Sequence, residues 1–114
     1  MKTHFIANAS LAIAAAIFMT ATCSAEVDAD AAKKLAKRND CFKCHAVDKT
    51  KKGPSYKSIA AKYKDKADAE GTLIKQITTA PKVKLDDGTE EDHKIVDTKD
   101  QKEMKNLVGW ILSL

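Results

Sequence analysis

Apolar residues recur at helical spacing in four segments of this chain, and turn signals separate them. The first segment runs from about Asp30 to Asn39, with Ala32, Leu35 and Ala36 on one face. The second opens after Gly53-Pro54, with Ser55 in the capping position, and carries Tyr56, Ile59, Ala60 and Tyr63 at i, i+3, i+4 and i+7. A third, from about Asp68 to Thr79, carries Leu73, Ile74 and Ile77. It stops at Ala80-Pro81 because proline disfavours helix in the residue before it. The fourth starts near Thr98 or Asp100, ends at about Leu112, and sets Leu107, Trp110, Ile111 and Leu114 along one stripe. Between the third and fourth lies Pro81 to Asp97, a polar connection of 17 residues in which Asp86-Asp87-Gly88 signals a turn. Val83 and Leu85 alternate with lysines ahead of that turn, the pattern of a short hairpin. A connection of this length inside a small domain usually serves function. The reading is all-α: about four helices, with a short hairpin before the last.

The first 25 residues follow a different rule. Lys2 precedes fifteen mostly apolar residues, Phe5 to Met19, and Cys23-Ser24-Ala25 follows as a small-residue cleavage site. That is the pattern of a secretory leader. A membrane-spanning helix needs about 20 apolar residues, and this run is shorter. The expectation is a signal peptide at 1–25, a mature domain at 26–114, export to the periplasm, and no membrane span after cleavage. A lipoprotein cut before Cys23 is the alternative, against which Thr20 and Thr22 stand where small and apolar residues belong.

Composition changes the picture of the mature segment. Its 89 residues include 17 Leu, Ile, Val or Phe, about 19 per cent, at the edge where composition alone suggests disorder. Only Phe42, Tyr56, Tyr63 and Trp110 remain as aromatics. A chain this short needs a disulfide, a metal, a partner or a cofactor to complete its core. The size argues against multidomain enzymes, nucleotide-binding α/β folds and integral membrane proteins.

The chemistry concentrates in Cys41-Phe42-Lys43-Cys44-His45. In an exported chain a Cys pair two residues apart usually oxidises unless something else consumes the thiols. A C-x-x-C-H run is the attachment signature of c-type haem: each thiol adds across one vinyl, and the adjoining histidine becomes an axial ligand. A porphyrin would also supply the apolar mass that 17 residues do not. Two alternatives compete. A thioredoxin-type redox pair wants a βαβ context, which four helical segments do not provide. A zinc site from Cys41, Cys44, His45 and His93 has the right ligand count, but adjacent Cys44 and His45 would be strained on one small ion.

With these residues in hand, the chain resembles a small bacterial class I cytochrome c with one haem. The resemblance covers essentially the whole mature segment: the first helix leading into Cys41-Phe42-Lys43-Cys44-His45, then Gly53-Pro54-Ser55-Tyr56, then Ile59-Ala60-Ala61-Lys62-Tyr63, and a last helix with Leu107 and Trp110. It implies one haem c attached through Cys41 and Cys44, and first and last helices that cross near the haem edge. It also implies that the Pro54 carbonyl accepts a hydrogen bond from His45 and orients it.

The chain departs from that pattern at the second axial ligand. Class I cytochromes usually supply a methionine from a loop before the last helix. The only mature methionine is Met104, inside the last helix, where it precedes Leu107, Val108 and Ile111 at core spacing. The loop position is held by His93, the only other mature histidine. Alone in Thr89-Glu90-Glu91-Asp92-His93-Lys94 it would read as a solvated residue; beside a haem it reads as the iron ligand. An open or water-filled site, or Lys94, is the alternative. Two imidazoles would set the potential below that of His/Met relatives, and Glu90, Glu91 and Asp92 would push the same way.

The function expected is single-electron transfer between redox partners, with no bond broken in a substrate. The rival is a haem-based sensor or gas-binding module in which His93 leaves the iron on reduction. A peroxidase-like enzyme has little support, since His93 cannot serve as both ligand and distal base. Charge bears on partners. From Asp30 to Lys66 there are 12 Lys or Arg against four acids, whereas Ala67 to Leu114 holds seven against ten. The basic half is a solvated lysine surface or, functionally, a face that steers an acidic partner protein. Nucleic acid is not expected, because no aromatic stacking positions are interleaved with the lysines. Nothing demands more than a monomer.

Overall fold

Asp28 starts the first helix by accepting the Ala31 N–H at 2.9 Å, which satisfies one orphan donor of the opening turn. Helix α1 (Ala29–Arg38) has Asp30 in its first turn and Lys37 and Arg38 in its last, each sign suited to the helix dipole. Asp40, left-handed at φ 58°, turns the chain into α2 (Cys41–Cys44), a single turn. Helix α3 (Tyr56–Tyr63) opens on Ser55, whose hydroxyl accepts the Ser58 N–H at 3.1 Å. Helix α4 (Ala69–Thr78) ends just before Pro81, and α5 (Gln101–Leu112) opens on Asp100, whose carboxylate accepts the Lys102 N–H at 2.8 Å. This computed structural model describes residues 16–17 and 26–114, so the leader and cleavage expectations for residues 1–25 fall outside the described residues but for Ala16 and Ile17.

The four periodic helices lie within a residue or two of their expected bounds. Helix α2 is additional, since four residues are too few to show a period. The hairpin also forms: β1 (Lys82–Lys84) pairs antiparallel with β2 (Glu90–Asp92), Lys82 opposite Asp92, Val83 opposite Glu91 and Lys84 opposite Glu90. Gly88, with φ 86°, supplies the left-handed turn residue.

The core lies where α1 crosses α5. Ala32, Leu35 and Ala36 pack against Met104, Leu107, Trp110 and Ile111, joined by Tyr56 and Val96. The crossing is fastened by a reciprocal pair: Asp28 N–H donates to Asn106 Oδ1 and Asn106 Nδ2 donates to the Asp28 carbonyl, both at 2.8 Å. Leu114 leaves the apolar stripe because α5 has already ended, and it is exposed. The buried set is small, and α3, α4 and the hairpin stand around a hollow instead of closing it. Among the described residues no helix is long and apolar enough to cross a membrane.

Candidate functional site

The single turn of α2 puts Cys41 and Cys44 on one side of the chain and delivers His45 at its end, where the His45 N–H still bonds the Cys41 carbonyl at 2.9 Å. The backbone there is extended, which sends the imidazole away from the helix. Three groups then fix the ring. His45 Nδ1 lies 2.6 Å from the Pro54 carbonyl. A carbonyl can only accept, so Nδ1 carries the proton and Nε2 keeps its lone pair. Tyr56, almost fully buried, stacks on the ring with centroids 5.2 Å apart, and Gly53 backs it so closely that an added methyl would lie 3.0 Å from Cε1. Burial, partly countered by the Pro54 bond, holds the imidazole below its usual pKa and favours the neutral ring. Burial likewise raises the Cys41 thiol and the Tyr56 phenol.

Across from His45 the hairpin delivers His93, the first residue after β2. Its N–H bonds the Pro81 carbonyl at 2.9 Å, which closes the base of the hairpin, and its Nδ1 lies 2.9 Å from the Lys94 carbonyl, again leaving Nε2 free. The two imidazole centroids are 6.2 Å apart with 42° between the planes. Met104 is 3 % exposed in the α1–α5 core and does not line the cavity between the histidines.

That cavity has a volume of about 620 Å³. Ile59 of α3, Leu73 and Ile77 of α4, Leu85 of the hairpin and Leu107 and Ile111 of α5 give it apolar walls. Cys41, Cys44, His45, Pro54 and His93 all border it. Two thiols and two imidazoles on the border of an apolar hollow are a donor set suited to a flat, mostly apolar ring that carries a metal. The residues present fit a haem.

Of the lysines grouped as a basic face, Lys57 pairs with Asp48 at 2.6 Å, Lys43 with Asp40 at 3.3 Å, and Lys51 donates to the Phe42 carbonyl at 2.5 Å. Among the described residues Lys49 and Lys52 have no carboxylate partner. Sequence reasoning missed the polar contacts near the site. The helical period marks Tyr56 as buried without showing what it stacks on, and Asn39 lies at a helix end where nothing local shows that its amide is used. Asn39 bonds to Asp97, which lies 58 positions away, a separation no local pattern reveals.

The cytochrome c family model matches residues 29–114. Cytochrome c-552 of Nitrosomonas europaea is 38% identical over 101 residues, covering 79% of this chain and 81% of its own. Among solved structures, the crystal structure of the class 1 cytochrome MtoD from Sideroxydans lithotrophicus ES-1 aligns with a TM-score of 0.74 at 57% identity, over 77% of this chain and 97% of that one. Wild-type Nitrosomonas europaea cytochrome c552 aligns at a TM-score of 0.59 and 34% identity, over 72% of this chain and 98% of that one.

Proposed function

The chain belongs to the cytochrome c family, and from that premise we propose that it is an exported, monomeric electron carrier with His45 and His93 as the two axial ligands. The family carries one covalently attached haem c, and Cys41 and Cys44 are its attachment residues here. When bound, that haem supplies a one-electron ferric/ferrous couple.

The chain's own residues do the rest. His45 offers Nε2 because its other nitrogen is committed to Pro54, and His93 does so through Lys94; metal-binding histidines generally hold their second nitrogen this way. The two imidazole centroids, 6.2 Å apart, are close enough that a single metal ion between the rings could be held by both. This spacing, with Met104 buried elsewhere, is the observation that carries the reading. Imidazole favours ferric iron more than a thioether does, so the potential lies below that of His/Met relatives. Glu91 and Asp92 at the cavity border add negative charge in the same direction. Lys49 and Lys52, beside the attachment segment, suit a redox partner with an acidic docking face.

Absorption and EPR spectra of the ferric protein test this. Low-spin iron without the far-red methionine–iron band is expected. His93→Ala should convert it to high-spin or water-ligated iron, while Met104→Leu leaves the spectrum alone and costs under about 1.5 kcal/mol of stability. The opposite pair of results overturns the assignment. Rapid carbon monoxide binding to the ferrous wild type would favour the sensor reading over the carrier.

A further inference from the structure

Asn39 is a buried amide, 3 % exposed, at the point where α1 gives way to the attachment motif. Every polar atom of its side chain is used. Its Nδ2 donates to the Leu35 carbonyl at 2.9 Å and to Asp97 Oδ1 at 3.0 Å, and its Oδ1 accepts the Asp97 N–H at 2.8 Å. Arg38 closes on the same carboxylate from outside, Nε at 2.8 Å and Nη2 at 3.0 Å. The bonds to Asp97 run both ways, so they fix the backbone at residue 97 as well as its side chain.

The location gives this arrangement its meaning. Cys41 follows Asn39 by two residues, and His93 precedes Asp97 by four. The bonds therefore join the two stretches of chain that reach opposite faces of the cavity. Other ties on the His93 segment, besides the buried side chain of Val96, are His93 N–H to Pro81, Val96 N–H to Ile77 at 2.9 Å, and the Lys94–Asp40 pair at 3.1 Å. The first two fasten it to the hairpin base and α4. The third links it to the attachment motif but is solvent-exposed, and exposed pairs hold little. Ile95, between them, is 52 % exposed and anchors nothing. A buried amide with all its bonds made is far costlier to release, because opening it leaves unsatisfied groups.

We propose that Asn39 and Asp97 form a clasp that positions His93 over the attachment motif, so that retention of the distal ligand depends on two side chains that supply no ligand themselves. The proposal rests on His93 being the axial ligand, and the experiment separates the two ideas.

Cyanide binding to the ferric holoprotein reads how often His93 leaves. Asn39→Ala and Asp97→Ala should each raise the cyanide rate by about tenfold or more, the scale of losing a buried or charge-assisted bond. Asp97→Asn keeps an oxygen for the Asn39 amide and should stay within about threefold of wild type. His93→Ala should bind fast already, and adding Asn39→Ala to it should change nothing further. If Asn39→Ala does not accumulate as holoprotein, Asp97→Ala, at a half-exposed side chain, carries the test. Alanine variants that bind cyanide at the wild-type rate while His93→Ala opens the iron overturn the clasp. A His93→Ala protein that binds no faster than wild type overturns the ligand reading beneath it.

Discussion

Gly53 is the residue against which the His45 imidazole lies, and Gly53→Ala should disturb it by a calculable amount. An added methyl would sit 3.0 Å from His45 Cε1, 3.3 Å from Nδ1 and 3.4 Å from the Cys44 carbonyl oxygen. Comfortable carbon contacts are about 3.5–4.0 Å, so the closest is about half an ångström short. Backbone strain is not involved, because Gly53 lacks a left-handed φ. The ring has no easy retreat: Tyr56 is stacked on it and Pro54 holds Nδ1 at 2.6 Å. Relief must therefore stretch the Pro54 bond. Overpacking of this kind costs about 1–3 kcal/mol, to be read as a lowered guanidinium midpoint at unchanged slope. A weakened Nδ1 bond makes the imidazole a poorer donor to ferric iron, so the potential should rise by tens of millivolts, where 59 mV is tenfold for one electron. Gly88→Ala is the control. Gly88 has φ 86° and nothing within 4 Å of a built methyl, so the change should cost about 1–2 kcal/mol of backbone strain at most and leave the potential where it is. A Gly53→Ala protein with wild-type stability and potential would show that the imidazole is not packed on this backbone.

Replacing Cys41 and Cys44 together by Ala should leave a largely disordered chain by circular dichroism, since so small a core cannot offset about 1–2 kcal/mol of entropy per ordered residue; a cooperatively melting, haem-free variant would contradict this. Leu107→Ala, at a side chain 2 % exposed, should cost about 2–5 kcal/mol in denaturant unfolding. Electron transfer to an acidic partner should slow steeply with salt as the Debye length falls from about 10 Å at 0.1 M to about 3 Å at 1 M, and rates indifferent to ionic strength would reduce Lys49 and Lys52 to solubility. The Asp97 carboxyl is held below the usual carboxylate range, first by its hydrogen bond to Arg38. A depressed folded pKa contributes stability that is whole above the unfolded value of about 3.9 and is lost as pH falls through the lower folded one. Acid titration should therefore show Asp97→Asn and wild type converging only below about pH 4.

The local rules that made the fold legible are specific to particular residues. Ser55 caps the helix that begins after it, Pro81 ends the approach from α4, and Leu35 and Leu107 meet because each lies on a continuous apolar stripe. The attachment triplet was legible because its spacing is chemical and needs no tertiary context. What stayed hidden depends on chain crossings. Tyr56 obeys the helical period, which says that it is buried but not that it stacks on His45. Asn39 and Asp97 each look like ordinary helix-end or loop residues until α1 and the segment ahead of α5 come side by side. Glu91 and Asp92, expected beside His93 from sequence adjacency alone, border the cavity because the hairpin folds back over it.

That hairpin has a consequence for solubility as well. A two-stranded ribbon has two open edges, each a row of backbone groups able to recruit a strand from another chain. Here one strand reads Lys82-Val83-Lys84 and the other Glu90-Glu91-Asp92, and each strand is only three residues long. A second copy that set the same strand against its own would meet like charge, and a lysine strand beside an acidic one would find a ladder only three residues long. With Val83 as the sole aliphatic in the paired rows, there is no apolar surface to stack into a second sheet. The same residues that carry His93 to the cavity thus keep this ribbon from seeding aggregation, a protection that matters most to a chain whose core is incomplete until its cofactor arrives.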